Sequence, residues 1–443
     1  MGGYRLGTGG RFIDRGRPLS FRVDGQPETG FAGDTLASAL LACGHALVSG
    51  GEAGGEAARL PCVFPGTQPR ATTVSLATTE LCDGLEIRLG ARRRWLGRAP
   101  MAADAPSRDP EPAEAACDVL VIGGGPAGLA AARVAARAGL RVILLDENAH
   151  VGGRAAEDDG TVDGLAPADW AARRGAGLAA LEHVRVMTRT TVEDPEEDGV
   201  WCAVERRTGG LFPQVLRRRL WTIRARRTVI ATGARERPLV FPGHVFPAHD
   251  GPGVMRAATG LALARRYGVA AGRSVVVFAN TDGGAATACA LADMGVSIKA
   301  VVDMRPRIDA ALAAGLAARG LRLEAGAVVA ATRGRRALAG VEIRGFDPAS
   351  GHLGRNAMRP SCDCLLVSGG WTPRPLGAGK TGEHWRVCGA AAGAFDLAAS
   401  LASGHAAGMA AVAACGGGSV EIAAPSVIGA QGPHLPLPVF EVP

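Results

Sequence analysis

CDVLVIGGGPAGLAAARVAARAGLRVILLDE, residues Cys117–Glu147, decides the fold of this chain. An apolar strand from Val119 to Ile122 runs into the pattern Gly-x-Gly-x-x-Gly, an Ala-rich helix follows, and a second apolar strand runs from Val142 to Leu145. A helix that starts at such a loop points unpaired backbone N–H groups and its positive dipole end at a pyrophosphate. The stretch therefore predicts a dinucleotide-binding βαβ unit.

Each glycine of the pattern has a separate mechanical role. Gly123 permits a tight turn, Gly125 lets phosphates approach the backbone without meeting a Cβ, and Gly128 lets the helix lie close to the strand. Pro126 and Ala127, between the last two glycines, start the helix. We therefore predict that these five residues bind the cofactor.

Two further strand ends carry candidate residues. The second strand of the unit ends at Asp146, whose carboxylate can accept hydrogen bonds from both hydroxyls of a ribose. A later strand, RRTVIATGA at 226–234, ends in Thr232 and Gly233. Small residues at that point let the backbone approach a ligand closely.

Composition places the chain among ordinary globular proteins. Its 443 residues suffice for about two to three domains, and its net charge of +7 is modest. The arginine runs at 92–94 and 217–219 lack interleaved aromatic residues, so they predict solvated faces rather than nucleic-acid binding. No signal-peptide pattern or bilayer-spanning apolar run is evident, and the helix that contains His405 is predicted to be a core helix. We expect a cytoplasmic protein without membrane contact.

The ten cysteines predict reduced thiols rather than a disulfide framework. No Cys-x-x-Cys occurs, which argues against a thioredoxin-reductase-like redox pair and against a zinc ribbon. Cys43, Cys62 and Cys82 are too far apart for the ligand loop of a plant-type iron–sulfur site. No metal site is therefore predicted.

Shifts in composition mark the domain boundaries. The stretch 100–116 is rich in Pro, Ala and charge, so it predicts a linker after a small β-rich module whose helix is capped by Asp34. A second βαβ unit begins near Ser274, but NTDGG replaces its phosphate loop, which leaves open either a structural domain or a degenerate nucleotide site. The predicted domains are 1–99, a ferredoxin-like β-grasp module without iron–sulfur ligands; 117–258 with 361–415, the first dinucleotide-binding domain; 259–360, an inserted second and degenerate one; and 416–443, a C-terminal tail.

Several longer strings carry a family resemblance. FAGDTLASALLA at 31–42, ATGARERPLVFPGH at 231–244, LLVSGGWTPR at 365–374 and GAAAGAFDLAASLASG at 389–404 resemble the N-terminal half of the α subunit of heterotetrameric sarcosine oxidase. The resemblance runs from Arg5 to about Gly408. It implies an α/β protein with a Rossmann-type, glutathione-reductase-like double dinucleotide-binding fold, preceded by a small ferredoxin-like β-rich domain.

The resemblance also implies a subunit rather than a complete enzyme. In that family a secondary amine is oxidised at FAD on a β subunit of the amino-acid-oxidase type, with a second flavin, FMN, near the subunit contact and further small subunits. The α subunit carries NAD at the first fingerprint. Residues of this chain that match the nucleotide site are Gly123, Gly125, Gly128, Asp146, Glu147, Gly152, Gly153 and Arg154, with Thr232 and Gly233 lining the same groove.

Two departures from the family pattern matter for function. A typical α subunit continues into an aminomethyltransferase-like domain that holds tetrahydrofolate, which the present residues do not include. Flavin-binding relatives end the returning strand in Gly-Asp, whereas this chain has Cys388-Gly389-Ala390, which favours NAD over FAD by about 1 kcal/mol for one hydrogen bond.

Three functions remain open at this point. The first is a nucleotide-binding subunit of a flavin-dependent oxidase or dehydrogenase of sarcosine or a related N-methyl or cyclic amino acid. The second is a self-contained NAD(P)H-dependent FAD oxidoreductase, and the third is an assembly subunit without a redox role. The sequence identifies no catalytic residue, amine or electron acceptor.

Overall fold

A computed structural model describes residues 3–45, 59–63, 72–88, 111–193, 199–207, 217–241, 244–246, 253–334, 337–376, 384–417 and 422–428. These residues form two compact units, one within 1–105 and 236–371 and the other within 106–235 and 372–433. Most of the predicted linker and most of the predicted tail lie outside the described residues.

The N-terminal module of the first unit is a mixed five-stranded sheet with one helix. Its elements are β1 (Asp14–Val23), β2 (Gln26–Ala32), α1 (Leu36–Ala42), β3 (Arg59–Val63), β4 (Thr72–Ser75) and β5 (Leu85–Ile87). The sheet order is β2-β1-β5-β3-β4, with β1 and β5 parallel at the centre and antiparallel pairs on both sides. This order is that of a β-grasp, as predicted.

Helix α1 begins one residue later than predicted. Thr35 is the N-cap, and it exchanges side-chain and backbone hydrogen bonds with Ser38 in a capping box. Asp34 is fully buried, and its two carboxylate oxygens accept hydrogen bonds from Arg5 at 3.1 and 2.7 Å. The prediction of Asp34 as the cap was wrong because this carboxylate neutralises an arginine instead.

The second dinucleotide fold completes the first unit. Its parallel sheet has the order β16 (Val254–Arg256), β23 (Cys364–Ser368), β17 (Val275–Ala279), β18 (Ile298–Asp303) and β19 (Leu323–Ala325). The helices are α4 (Ala257–Tyr267), α5 (Asp282–Asp293) and α6 (Ala310–Ala318), and an antiparallel sheet contains β20 (Ala327–Arg333), β21 (Gly340–Asp347) and β22 (His352–Met358). The remaining short strands are β13 (Ala234–Glu236), β14 (Leu239–Phe241), β15 (His244–Phe246) and β24 (Trp371–Pro373).

The strand that follows Cys362 was assigned to the wrong sheet. The sequence placed 117–258 and 361–415 in the first dinucleotide domain, but β23 pairs in parallel with β16 and β17, and residues 236–258 and 361–371 belong to the unit that contains the second fold. All five of its residues are buried, so it is a central strand of the second fold. A fully apolar run predicts a buried parallel strand without indicating which of two sheets contains it.

The other unit contains the first dinucleotide fold. Its main sheet has the order β10 (Thr190–Val192), β11 (Val200–Arg207), β12 (Arg217–Ile230), β6 (Glu111–Ile122), β7 (Val142–Leu145) and β9 (Val184–Met187), and β25 (Trp385–Val387) also pairs with β12. The helices are α2 (Pro126–Arg137), α3 (Pro167–Ala179) and α7 (Leu397–Ala414), and β8 (Thr161–Val162) pairs with β26 (Val427–Ile428).

Strand β6 extends into the predicted linker. Residues from Glu111 to Ala116 pair in parallel with β12, so this part of 100–116 is regular structure. Ala113 and Ala115 pack against the core, whereas Glu114 and Ala116 are exposed. The prediction failed here because alanine is a weak signal of a period-two strand and the neighbouring prolines indicated a linker.

Helix α7 is a core helix of this unit, as predicted. By length and composition it is, within the described residues, the one helix apolar enough to cross a membrane. A Cβ added at Gly404 would lie 2.1 Å from the carbonyl oxygen of Ala127, and one at Gly408 would lie 2.8 Å from that of Ala131. The small residues therefore let α7 pack directly on the backbone of α2.

Candidate dinucleotide site

Three neighbouring parallel strands of the first dinucleotide fold end at the candidate site. Strands β12, β6 and β7 lie side by side, and their carboxyl ends meet at one edge of the sheet. Gly123 follows β6, Asp146 follows β7, and Thr232 lies two residues beyond β12. Ligands of such sheets bind at this edge. The structure thus brings the predicted residues together.

Gly123 and Gly128 hold the glycine loop against its surroundings. Gly123 has a φ of +104°, and a Cβ there would lie 2.3 Å from the carbonyl oxygen of Ala231. A Cβ at Gly128 would lie 1.8 Å from the carbonyl oxygen of Gly123. No real side chain fits at such distances, so both glycines act in turn formation and helix packing, as predicted.

Gly125 differs from the other two glycines because open space surrounds its missing side chain. It is the N-cap of α2 with extended backbone angles, and the nearest atom to an added Cβ is the Cα of Gly153 at 3.8 Å. No side chain caps this helix, and Pro126 at its first position has no N–H. The positive end of α2 is therefore available to an anion, and Gly125 leaves the approach clear.

Gly124 is a residue whose role the sequence pattern missed, because the fingerprint allows any residue there. Its N–H donates to Oδ2 of Asp146 at 2.9 Å, and its carbonyl accepts from the N–H of Gly152 at 2.7 Å. A Cβ at Gly124 would lie 2.8 Å from Oδ2 of Asp146. Gly124 thus joins the glycine loop to the loop after β7.

Asp146 supports this loop from the inside. It is 6% exposed, and its Oδ1 accepts hydrogen bonds from the backbone N–H and the side-chain amide of Asn148 at 2.8 and 3.0 Å. Burial raises the pKa of this carboxyl, and the hydrogen bonds from Asn148 and Gly124 oppose that rise. Glu147, the next residue, is exposed. A contact between Asp146 and a ribose stays a prediction, while the geometry gives its carboxylate three partners within the protein.

The loop after β7 continues to the other side of Gly125. Gly153 has a φ of +51°, and a Cβ there would lie 2.8 Å from the Cα of Gly125. Arg154 is half-buried in the short 3₁₀ turn Gly153–Ala156. Two glycines therefore face each other in front of α2, with an arginine beside them.

Thr232 and Gly233 are fixed by the segment after β24. The hydroxyl of Thr232 donates to the carbonyl of Arg374, and the N–H of Arg374 donates to the carbonyl of Gly233 at 3.0 Å. These contacts attach the end of β12 to the segment after β24.

The returning segment after β25 passes the first turn of α2 without an acidic group. The N–H of Cys388 donates to the carbonyl of Ile230 at 2.9 Å, and burial raises the pKa of the Cys388 thiol to about 12. Gly389 has a φ of +64°, and a Cβ there would lie 2.5 Å from the Cβ of Ala127. This segment therefore offers backbone groups and an unreactive thiol, and no carboxylate, beside the helix terminus.

This chain has two Rossmann-type folds, and one of them keeps a helix terminus lined by glycines. These features define the class of dinucleotide-dependent oxidoreductases. The model of the pyridine nucleotide-disulphide oxidoreductase family matches residues 117–389. The chain belongs to this family.

Comparison with known proteins confirms the resemblance predicted from the sequence. Sarcosine oxidase subunit alpha of Rhizobium meliloti (strain 1021) is 35% identical and aligns with 100% of this chain and 50% of its own length. The protein of the same name from Corynebacterium sp. (strain P-1) is 34% identical over 91% of this chain and 44% of its own length. The chain thus spans about half the length of the curated relatives it matches.

A solved structure supports the fold. The structure of L-proline dehydrogenase from P. horikoshii matches 92% of this chain and 75% of its own chain with a TM-score of 0.62 at 19% identity. At this identity the likeness concerns the architecture alone. The predicted α/β architecture is confirmed.

The β-grasp module matches the model of a 2Fe-2S iron-sulfur cluster binding domain at residues 16–89, but its residues do not fit a cluster. The matched segment contains three cysteines, Cys43, Cys62 and Cys82, whereas such a cluster takes four thiolates. Burial raises the pKa of Cys43 to about 12 and that of Cys82 to about 11, which opposes formation of the thiolates that a cluster takes. The module resembles a ferredoxin in topology without its donor set.

Proposed function

We propose that this chain is the nucleotide-binding, alpha-type subunit of a heteromeric flavin-dependent oxidase or dehydrogenase of secondary amines. The observation that supports this proposal is the N-terminus of α2, which has no side-chain cap and has Gly125 and Gly153 in front of it. The chain that contains this helix is similar over its whole length to a sarcosine oxidase alpha subunit. The absence of Cys-x-x-Cys from the sequence argues against the dithiol chemistry that the family name includes.

The residues present fit a dinucleotide in the first fold. The pyrophosphate would lie against Gly125 and accept hydrogen bonds from the first turn of α2. Arg154 would add positive charge, since it follows Gly153, the glycine that faces Gly125. Glu147 is exposed where Asp146 is not, so we assign the ribose hydroxyls to Glu147 and the support of the loop to Asp146. A bound nicotinamide or flavin ring would supply hydride transfer.

NAD is the better candidate for this site than FAD. A flavin's ribityl chain needs an acceptor near the helix terminus, and Ala390, which follows Gly389 where flavin-binding relatives have the aspartate, has none. We assign the flavin chemistry to a partner of the amino-acid-oxidase type, with FAD on that partner and FMN at the contact. The amine, an N-methyl or cyclic amino acid such as sarcosine, would be oxidised there, with two electrons passing from its C–N unit to the flavin.

Nucleotide identification tests this proposal. The chain is purified alone and together with its neighbouring flavoprotein subunit, each sample is denatured, and the released dinucleotides are identified by mass spectrometry. NAD without FAD from the isolated chain is the expected result. FAD released from the isolated chain would overturn the assignment and favour a self-contained NAD(P)H-dependent flavoprotein.

A variant separates the redox role from an assembly role. Gly125→Val should remove the dinucleotide because its side chain enters the phosphate path, and amine oxidation by the complex should fall with it. Gly177→Val, at an exposed glycine of α3 with no atom within 4 Å of an added Cβ, is the matched control. Full turnover by an intact complex that has lost the nucleotide would contradict the redox role.

A further inference from the structure

The second βαβ unit repeats the first but keeps only one of its three glycines. With the first residues of α2 and α5 aligned, Ala279 and Thr281 stand where the first unit has its first two glycines. The third position is retained as Gly284, where an added Cβ would lie 2.3 Å from the Cβ of Ala279. The glycine needed for helix packing is thus kept, while the turn position and the position at which phosphates approach the backbone both carry side chains.

The acid at the end of the second strand is also retained but has a different partner. Asp303 ends β18, is fully buried, and accepts hydrogen bonds on Oδ1 from the backbone N–H and Nε of Arg305, both at 2.9 Å. Nη2 of Arg305 donates to Oδ2 of Asp303 at 2.8 Å. In the first unit the residue two positions after the acid is Asn148, which makes the same pair of contacts to Asp146 with a short amide.

Arg305 continues from this acid to the start of α5. Its Nη1 donates to Oδ1 of Asp282 at 2.7 Å, and Asp282 is the first residue of that helix. The guanidinium therefore spans the gap between the end of β18 and the helix terminus. We call this arrangement the Asp282–Arg305–Asp303 bridge.

The bridge occupies the positions that a pyridine nucleotide needs. The position that matches Glu147 is Met304, which is 5% exposed and has no strong acceptor for ribose hydroxyls. A ribose there would also have to displace Arg305, which would leave the buried Asp303 carboxylate without its cation. The pyrophosphate would have to approach a helix terminus that carries the Asp282 carboxylate and the Thr281 side chain. The Asp282 carboxylate at the start of α5 therefore opposes the approach of a dianionic group to this terminus.

We infer that the second dinucleotide fold is closed to NAD(H) and NADP(H) by the Asp282–Arg305–Asp303 bridge and by Thr281, so that the chain binds a single dinucleotide, at the first fold. The family name implies a pyridine nucleotide, and the residues of the second fold do not fit one. Reducing equivalents therefore do not enter this chain from NAD(P)H at the second fold. This inference stands whichever dinucleotide fills the first site and whatever the partner oxidises.

Counting bound dinucleotides tests the inference. The full chain is titrated with NADH and, separately, with NADPH, and the number bound is read by native mass spectrometry while hydrogen exchange follows the amides of 279–284 and 303–305. At most one dinucleotide and unchanged exchange in both segments are expected. A second equivalent that protects these segments would overturn the inference.

A variant that copies the first unit tests the cause of closure. Thr281→Gly combined with Arg305→Asn places at these positions the residues found at Gly125 and Asn148, and the asparagine can still donate to Asp303. The double variant should bind NADH or NADPH at the second fold at least 10-fold more tightly than the parent chain. Arg319→Asn, which breaks a pair of 2.7 Å contacts to Asp293 at the far end of α5, is the matched control and should gain nothing.

A second variant covers the case in which the double variant does not fold. Asp282→Asn leaves the contacts of Arg305 to Asp303 in place and removes one negative charge from the helix terminus. It should show a smaller gain in NADPH binding. If neither folded variant binds more dinucleotide than the control, the bridge is not what closes the fold.

Discussion

Replacing Gly125 or Gly128 by alanine should separate dinucleotide binding from stability, although both glycines belong to one loop. A Cβ at Gly125 would have no atom nearer than 3.8 Å, and the backbone there is extended, a conformation open to any residue. A Cβ at Gly128 would lie 1.8 Å from the carbonyl oxygen of Gly123 and 3.0 Å from its carbon. The same added methyl group therefore meets open space in one case and backbone in the other.

The expected magnitudes follow from these distances. Because non-bonded atoms prefer separations of about 3.5 Å, Gly128→Ala would force α2 away from the loop by roughly 1.5 Å. Overpacking of this kind lowers the free energy of unfolding by about 1–3 kcal/mol. In a unit of this size each kcal/mol lowers the melting temperature by about 2–4 °C. Gly125→Ala should change stability by less than about 1 kcal/mol. The loss of one charge-assisted hydrogen bond to phosphate, about 1.5–3 kcal/mol, should weaken dinucleotide binding about 10- to 150-fold.

Two assays on the same preparations check this prediction. Thermal denaturation of the nucleotide-free chain reports stability, and isothermal titration with NAD reports affinity. Gly177→Ala in α3 is the control and should change neither. The reasoning is refuted if Gly125→Ala binds NAD as tightly as the parent chain, or if Gly128→Ala melts at the parent temperature.

Three further predictions concern residues around the same sheet. Asp146→Ala should lower the free energy of unfolding by about 1–3 kcal/mol for each buried N–H donor that it leaves without an acceptor. Glu147→Gln should lower only the affinity for NAD. If the two variants change stability and affinity equally, the division of roles between Asp146 and Glu147 is contradicted. Hydrogen bonds from Arg141 hold the pKa of Asp118 below its ordinary value of 3.8, so its stabilisation is present above that pH and is lost as the pH falls through the lower folded pKa. Asp118→Asn should therefore flatten the fall in urea stability as the pH drops below about 5, and an unchanged slope would count against this ion pair. Gly404→Val should loosen α7, because an added Cβ lies 2.1 Å from a carbonyl oxygen of α2, and faster hydrogen exchange in both helices is the expected readout.

Local patterns in the sequence predicted the elements of the site well but not their pairing. The run from Val119 to Leu145 has period and spacing that only a βαβ unit satisfies, and the structure has this unit at these residues. Strand β23 was placed in the wrong sheet, because pairing with β16 depends on residues more than a hundred positions away. Register between distant strands is set by tertiary packing, which a local pattern does not contain.

The candidate site shows the same division at the level of single residues. The three fingerprint glycines were predictable, because each has a requirement that glycine alone meets. Gly124 was not, because its requirement comes from Asp146 and Gly152 on another loop. Likewise the sequence could not tell that Asp146 is buried and Glu147 exposed, because both residues are acidic. The difference follows from how the loop after β7 folds.

Comparison of the two βαβ units within this one chain separates what the fold requires from what the ligand requires. Gly128 and Gly284 occupy the same position, and in both an added Cβ would meet the strand or the loop at its end. The first two glycines, whose roles concern the turn and the phosphate, are present in one unit and replaced in the other. A helix can therefore pack on a strand without the residues that bind a nucleotide, and a likeness of fold carries no information about occupancy. In this chain the two units differ in the residue two positions after the buried acid: the side chain of Asn148 donates to Asp146, whereas Arg305 reaches from Asp303 to Asp282 at the start of α5.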